Sequence, residues 1–453
     1  MNNENKITQG TIWKQILLFF FPILLGSFFQ QFYNTVDAII VGQFAGKEAL
    51  SCIGGSSSQI VNFVVGFFGG LSVGVTVIIA QYYGAGDQKR MDEALHTAYA
   101  FSIGFGAVGG IICMIFCKQF LLWMNTPAEL LADSQMYLRI YFGGLIFVLI
   151  YNMGSGILRA IGDSKRPLYF LIVGTLVNVV LDLVFVKGLS MGVRGAAIAT
   201  LIAQGISAIL VTLTLMFRVE GMRLQPSHIR LDRLMLRRIM RIGLPSAIEN
   251  STYSISNIVL QSALNQLGVD VVAAWAALGR IDGLQWMING AFGMSITTFA
   301  GQNYGAGKMD RVRKGTWITL GMAALSSMAF GFLLIRFGTP VFRIFTQDTN
   351  VISIGMQMAC ILGPCYWVFS FIEVFSGSRR AQSDVVIPTL ICTVGICAIR
   401  IVWTIVLGAK ATVSSLVLCY PTTWIIAGIL MSIYYLYRTY YRPSKSLHAG
   451  VNL

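Results

Sequence analysis

Asn178 and Asp182 stand four residues apart in Val173-Gly-Thr-Leu-Val-Asn-Val-Val-Leu-Asp-Leu-Val-Phe-Val186, a run apolar except for these two and Thr175. Residues four apart share a helix face, so the amide and the carboxyl point the same way, one turn apart. A charged Asp at the bilayer centre costs roughly 2.5–3.5 kcal/mol even on insertion scales, so this carboxyl demands a partner, a proton or an ion. A second membrane acid, Asp37, lies in Tyr33-Asn-Thr-Val-Asp37, well inside the same run as Pro22. Thr200, in Gly195-Ala-Ala-Ile-Ala-Thr200, adds a hydroxyl from a small-residue face where helices approach closely. Two carboxylates, an amide and a hydroxyl in a low-dielectric surrounding have two uses. Brought together, two carboxylates do not readily both ionise, and the pair takes up a proton. Alternatively, the same oxygens ligate Na⁺. A third reading couples them to nothing: each acid is capped separately by hydrogen bonds between packed helices.

The rest of the chain is composed to hold such groups in lipid. Of its 453 residues 55% are hydrophobic and 11% charged, which excludes an ordinary soluble or disordered chain. Backbone polar groups in lipid must be paired within the segment, so spans are helices. Twelve apolar runs, from 14–41 to 413–437, are long enough to cross about 30 Å of hydrocarbon. The expected fold is an all-α polytopic membrane protein. The net charge of +14 raises nucleic acid as a partner, but Lys and Arg gather in the short loops of one side. That asymmetry predicts a multi-pass protein of the plasma (cytoplasmic) membrane, with both termini and the central 218–241 loop in the cytoplasm. Lipids, not nucleic acid, are its expected surroundings. The eight Cys fall nearly all inside apolar runs and read as small buried hydrophobes. The first apolar run is itself a span, so no removed signal peptide is expected.

The two halves repeat. Arg159-Ala-Ile-Gly-Asp163 matches Arg380-Ala-Gln-Ser-Asp384, and Gln81-Tyr-Tyr-Gly-Ala-Gly86 matches Gln302-Asn-Tyr-Gly-Ala-Gly307, both at an offset of 221. Pro22 and Pro245 correspond at an offset of 223. Each half holds six runs, an even number, so the repeat is parallel and two six-helix bundles follow. The expected domains are an N-lobe over 1–217, a linker over 218–240 and a C-lobe over 241–453. In the linker, Leu231, Met235, Ile239 and Ile242 share one helical face and Arg230, Arg233, Arg237 and Arg241 another, the pattern of an interfacial amphipathic helix.

Under the offset Asn178 falls on Ile399 and Asp182 on Trp403, so the polar pair is private to the N-terminal half. A residue that only held the repeat together would occur twice. Pro22 removes a backbone hydrogen bond within its span and gives it a place to bend. The C-terminal half has its own ionisable residues, Glu249, Arg280, Asp282, Glu373 and Arg400. Glu249 either lines a cleft and attracts a cationic substrate or pairs with Arg280 or Arg400. Asn34, Glu249 and Met287 are the candidate substrate-cavity residues, Met287 offering a soft, polarizable wall.

Phosphate-loop and nucleophile-elbow patterns are absent, and the three His (96, 228 and 448) lie in loops or near span ends without metal-ligand company. Enzyme activity and ATP hydrolysis are therefore not expected, and energy must come from a gradient. Pro22, Tyr33-Asn-x-x-Asp37, the Gln-x-Tyr-Gly-Ala-Gly loops, Arg159-Ala-x-Gly-Asp163, Asn178-x-x-x-Asp182 and Gly195-Ala-Ala-x-Ala-Thr200 together resemble the MATE (multidrug and toxic compound extrusion) family, in its prokaryotic DinF-like branch. The resemblance covers both halves. It implies a twelve-helix, two-lobed, V-shaped monomeric exporter that needs no cofactor and exchanges H⁺ or Na⁺ for organic cations. It further implies that Asp37, Asn178, Asp182 and Thr200 form an N-lobe cation site and that Pro22 marks a bending first helix. A flippase for a lipid-linked precursor, a role within the same superfamily, is the alternative; it predicts a cationic cleft. An ion channel or membrane enzyme lacks filter loops and catalytic clusters here.

Overall fold

The computed structural model describes residues 6–219 and 221–442, and these are helical almost throughout. His448 and the extreme chain ends, expected in the cytoplasm, lie outside the described residues. After a short turn at Lys6–Gln9 come twelve rods: α1 (Ile12–Phe44), α2 (Gly46–Ala85), α3 (Gln88–Trp123), α4 (Ala128–Gly143 continued by Leu145–Ala160), α5 (Lys165–Gly188) and α6 (Gly192–Phe217), then α7 (Arg233–Asn265), α8 (Val269–Gly305), α9 (Met309–Arg343), α10 (Thr349–Arg380), α11 (Val386–Leu407) and α12 (Val413–Tyr441). Nine are long and apolar enough to cross a membrane, and α4 makes ten if its two segments, bent by 47°, count as one. The other two, α7 and α8, are as long but more polar: α7 opens on four Arg, and α8 carries Asp270, Arg280 and Asp282.

Packing divides the chain into two units. Leu25–Ala247 form one (the N-unit), and residues up to Leu24 together with Ile248 onward form the other (the C-unit). These boundaries differ from the expected cuts at 217/218 and 240/241. Two residues past Pro22, α1 leaves the C-unit; two residues past Pro245, α7 leaves the N-unit. Both crossings obey the 223-residue offset, so the swap is part of the repeat. In the C-unit the start of α1 stacks Phe20 on Phe292 at 4.1 Å, and Arg311 donates to the Gly10 carbonyl at 2.7 Å.

Among its described residues the linker supplies no separate interfacial helix. Its basic stretch is the opening of α7, which runs unbroken through Pro245. Met235, Ile239 and Ile242 are buried and only Leu231 is exposed. Glycines explain this burial. A Cβ on Gly70 would collide with Ala247, one on Gly74 with the Ile239 carbonyl, and one on Gly243 with the Leu71 carbonyl at 2.7 Å. The apolar face of this basic helix therefore packs backbone to backbone on α2.

The duplicated loops are duplicated in conformation. Gly86 and Gly307 end α2 and α8 at φ 71 and 74, and the amide behind each closes the helix end: Asp87 onto Tyr82 at 3.0 Å, Lys308 onto Asn303 at 2.8 Å. After α4 and α10 the same left-handed position holds Gly162 (φ 105) in one half but Ser383 (φ 62) in the other. Just beyond it, Asp384 accepts from Arg379 Nε at 3.1 Å, Arg438 Nε at 3.2 Å and Tyr434 at 2.8 Å, tying α10 to α12.

Two substitutions test this packing by thermal unfolding in detergent. Gly74→Val forces a side chain into the α2–α7 contact and should lower the midpoint, costing roughly 1–3 kcal/mol; Gly69→Ala, whose methyl would meet nothing within 4 Å, should not. Ser383→Gly relieves a left-handed backbone and should raise the midpoint, by about 1 kcal/mol, whereas Ser383→Val should lower it.

Candidate functional site

Asp37 projects from the C-terminal part of α1, Asn178 and Asp182 from α5, and Thr200 from α6, all inside the N-unit and all buried. The carboxyl groups of Asp37 and Asp182 are near enough to act on each other directly. Beyond this mutual contact, one oxygen of Asp37, both oxygens of Asp182 and both polar atoms of Asn178 are buried without a hydrogen-bond partner from any other described side chain. Thr200 is tied in differently, accepting from the Tyr33 hydroxyl at 3.1 Å. Immediately after Asp182 the helix widens to a π-turn over Leu183–Gly188, a distortion that often accompanies functional sites.

An unpaired buried carboxylate costs several kcal/mol, so such a set is stable only when a proton or cation completes it. The offsets put Leu260, Ile399, Trp403 and Pro421 where the N-unit has Asp37, Asn178, Asp182 and Thr200. Trp403 spends its indole N–H on the Ser415 carbonyl at 2.9 Å, so the C-unit has no counterpart of the cluster.

Acids of the C-unit are held. Asp282 accepts a short hydrogen bond from Tyr366. Glu249 accepts from Thr389 at 3.3 Å. Arg380 is the cation acting on both Glu249 and Glu373. The partner of Glu249 is therefore neither Arg280, which is exposed, nor Arg400, which lies 3.8 Å over the Tyr420 ring and donates to Asn257. Of the other cavity candidates, Asn34 is exposed and Met287 half-buried on α8.

A small cleft does open in the N-unit, lined by Gln30, Tyr33, Tyr151, Thr175, Gln204 and Ser207 with Leu171, Gly174 and Ala203. Tyr33 joins it to Thr200, so cleft and acid cluster share a wall. Sequence reasoning missed two further members: Tyr137 and Tyr141 of α4 stack at 6.2 Å, and Tyr137 feels both Asp37 and Asp182. Two polar-tipped aromatics one turn apart in a span were the available signal. One expectation is overturned: His96 and His228 are not without ligand company, because both gather with Asp92 at the start of α3.

Two matched bundles of long apolar helices, one of them holding an unpaired acidic pair, define a polytopic membrane protein built from an internal repeat. The sequence profile of the MatE family matches residues 22–184 and 245–406, the two repeats in turn, and the chain belongs to that family. Its members are membrane transporters, not enzymes. The chain is 30% identical over 358 residues to "Probable multidrug resistance protein YpnP" of Bacillus subtilis, covering 77% of this chain and 78% of that one. It is 26% identical to "Probable multidrug resistance protein YoeA" of the same organism, over 95% of each. Its fold superposes on a solved outward-facing multidrug resistance MATE family transporter with a TM-score of 0.89, at 21% identity and over 98% of this chain and all of that one.

If the Asp182 oxygens are unpaired, removing them relieves the protein. Asp182→Leu should leave the thermal midpoint in Na⁺-free detergent buffer unchanged or raised. A structurally capped Asp would instead lower it, by the roughly 1–3 kcal/mol that a broken buried hydrogen bond costs.

Proposed function

We propose that the protein is a secondary active multidrug exporter that exchanges H⁺ or Na⁺ for amphipathic, mostly cationic compounds by alternating access. The observation that carries this reading is the contrast between the units: acids of the C-unit have partners, whereas Asp37 and Asp182 of the N-unit keep buried oxygens unpartnered. In this reading Asp37, Asn178, Asp182 and Thr200 are the coupling site. A proton lets one carboxyl donate to the other; Na⁺ draws the carboxylate oxygens and the Asn178 carbonyl around itself. Either one removes the need for the pair to be opened to water, and α1 re-bends at Pro22, where its backbone lacks a hydrogen bond. Because Asp37 rides on α1 and Tyr33 lies one turn before it, the bend moves a wall of the cleft and releases the substrate. One-for-one exchange with a monovalent organic cation moves no net charge, so the ion's own concentration gradient drives it; each further ion carried inward per cation adds roughly 2.3 kcal/mol per 100 mV.

The exporter works, in this reading, as a monomer in the cytoplasmic membrane with both termini inside, and needs no cofactor. The printed names of YpnP and YoeA support drugs as its substrates. A flippase for a lipid-linked pyrophosphate needs a cationic cleft, and the residues lining this one are uncharged.

Efflux of a fluorescent organic cation from liposomes, under an imposed pH or Na⁺ gradient, is the test. Wild type should be driven by one of the two, and Asp182→Asn should lose the drive while still binding the dye. Full coupled export by Asp182→Asn would refute the mechanism.

A further inference from the structure

The Asp92–His96–His228 cluster is not used by the proposed transport mechanism. Asp92 and His96 are four residues apart in the first turns of α3 and so share a face. His228 closes a 3₁₀ turn, Pro226–His228, in the segment between α6 and α7. One ligand atom from each of the three lies within 4.8 Å of the others. The segment that contributes His228 falls between the two stretches matched by the family profile. We propose that these three side chains bind a divalent transition-metal ion of the Zn²⁺ class, and that the ion competes with the hydrogen bond tying the α6–α7 segment to α3.

Ligand type and geometry both favour such an ion. Two imidazoles and one carboxylate form a three-ligand set with an open fourth position, which suits Zn²⁺, Co²⁺ or Ni²⁺ and not the hard cations Na⁺ or Mg²⁺. Asp92 Oδ2 and His96 Nδ1 are 3.4 Å apart. An ion about 2.0–2.1 Å from each would see them at an angle of about 110°, close to tetrahedral. His96 is buried, the Asp92 carboxylate is partly exposed and His228 is exposed, so a fixed inner ligand meets two that water can reach. A purely structural role accounts for His96 alone. The His228 backbone N–H donates to the Gln225 carbonyl at 2.9 Å, but its ring makes no hydrogen bond among the described residues, although it sits 5.8 Å from that of His96.

Competition follows from the two ring nitrogens of His96. Nδ1 lies 2.9 Å from the Asp92 carbonyl, and Nε2 accepts from the Gln225 backbone N–H at 3.1 Å. The ring proton therefore sits on Nδ1. An ion on Nε2 displaces the Gln225 N–H outright. An ion on Nδ1 moves the ring proton to Nε2, where it opposes that N–H. Either way the bond between Gln225 and His96 is lost. What then retains the segment is the Leu224 amide on the Leu215 carbonyl at 3.0 Å and the Asp232 amide on Thr97 at 3.3 Å. Asp232 lies just before α7, so the ion acts on the lead-in to that helix.

The test uses the full-length protein in detergent with its purification tag removed. Equilibrium dialysis against Zn²⁺ counts bound metal, and hydrogen–deuterium exchange follows the Gln225 amide. Wild type should hold an ion that His228→Ala and Asp92→Asn each weaken by about tenfold or more, the loss that even a supporting partner of a metal ligand causes. Cys360→Ser, which removes an exposed thiol, should leave the affinity unchanged, and Zn²⁺ should speed exchange at Gln225 in wild type and Cys360→Ser but not in the two cluster variants. Affinity equal to wild type in both cluster variants, or a site that disappears with Cys360, would overturn the assignment. Zn²⁺ binding with no change at Gln225 would overturn the competition.

Discussion

The structure depends on a carboxyl pair that the protein does not itself satisfy. Hydrocarbon offers Asp37 and Asp182 no water, and the surrounding helices offer few donors: Tyr33 turns to Thr200, and Asn178 is left with both its polar atoms free. Buried polar groups in folded proteins are nearly always paired. In the proposed mechanism a proton or Na⁺ completes the cluster, and a group completed by a mobile charge responds to that charge's concentration. The π-turn after Asp182 and the proline in α1 lie in the two helices that carry the acids. The elements able to change shape are thus also those that bear the charge.

The C-unit shows what the same scaffold does when that response is absent. Its acids meet Tyr366, Thr389 and Arg380, and Gln285, Asn289, Ser327 and Ser370 are linked by hydrogen bonds inside the bundle, including Gln285 onto Ser327 at 2.6 Å. Aromatic rings fill the space around them, with Trp424 edge-on to Phe369 and Tyr420 and tilted against Tyr366. Duplication supplied two bundles; side-chain choice gave the buried acids of one their own partners and set the acids of the other against each other.

Much of this was legible in the chain. Apolar run length located the helices to within a few residues, because lipid leaves the backbone no other option. The four-residue spacing of Asn178 and Asp182 placed them on one face, and the offset showed that they are not duplicated. The basic stretch before Pro245 was misread because an amphipathic helix has the same pattern whether its apolar face meets lipid or another helix. The deciding residues, Gly70 and Gly74, lie some 160 positions away in α2. Tyr137 was missed and His228 was misjudged for the same reason: the residues they meet are distant in sequence, Asp37 and Asp182 for one, Asp92 and His96 for the other.

The crossing of α1 and α7 between units has a consequence for biosynthesis. Everything the N-unit needs, including the opening of α7, has been made once residue 247 leaves the ribosome. The C-unit is in the opposite position: its first helical segment is among the earliest residues made and must wait for nearly the whole remaining chain before its bundle exists. Split between the repeats at residue 217, the gene would give two polypeptides, each lacking a piece of its own core. The duplication that produced two halves has left each without one segment of its own bundle.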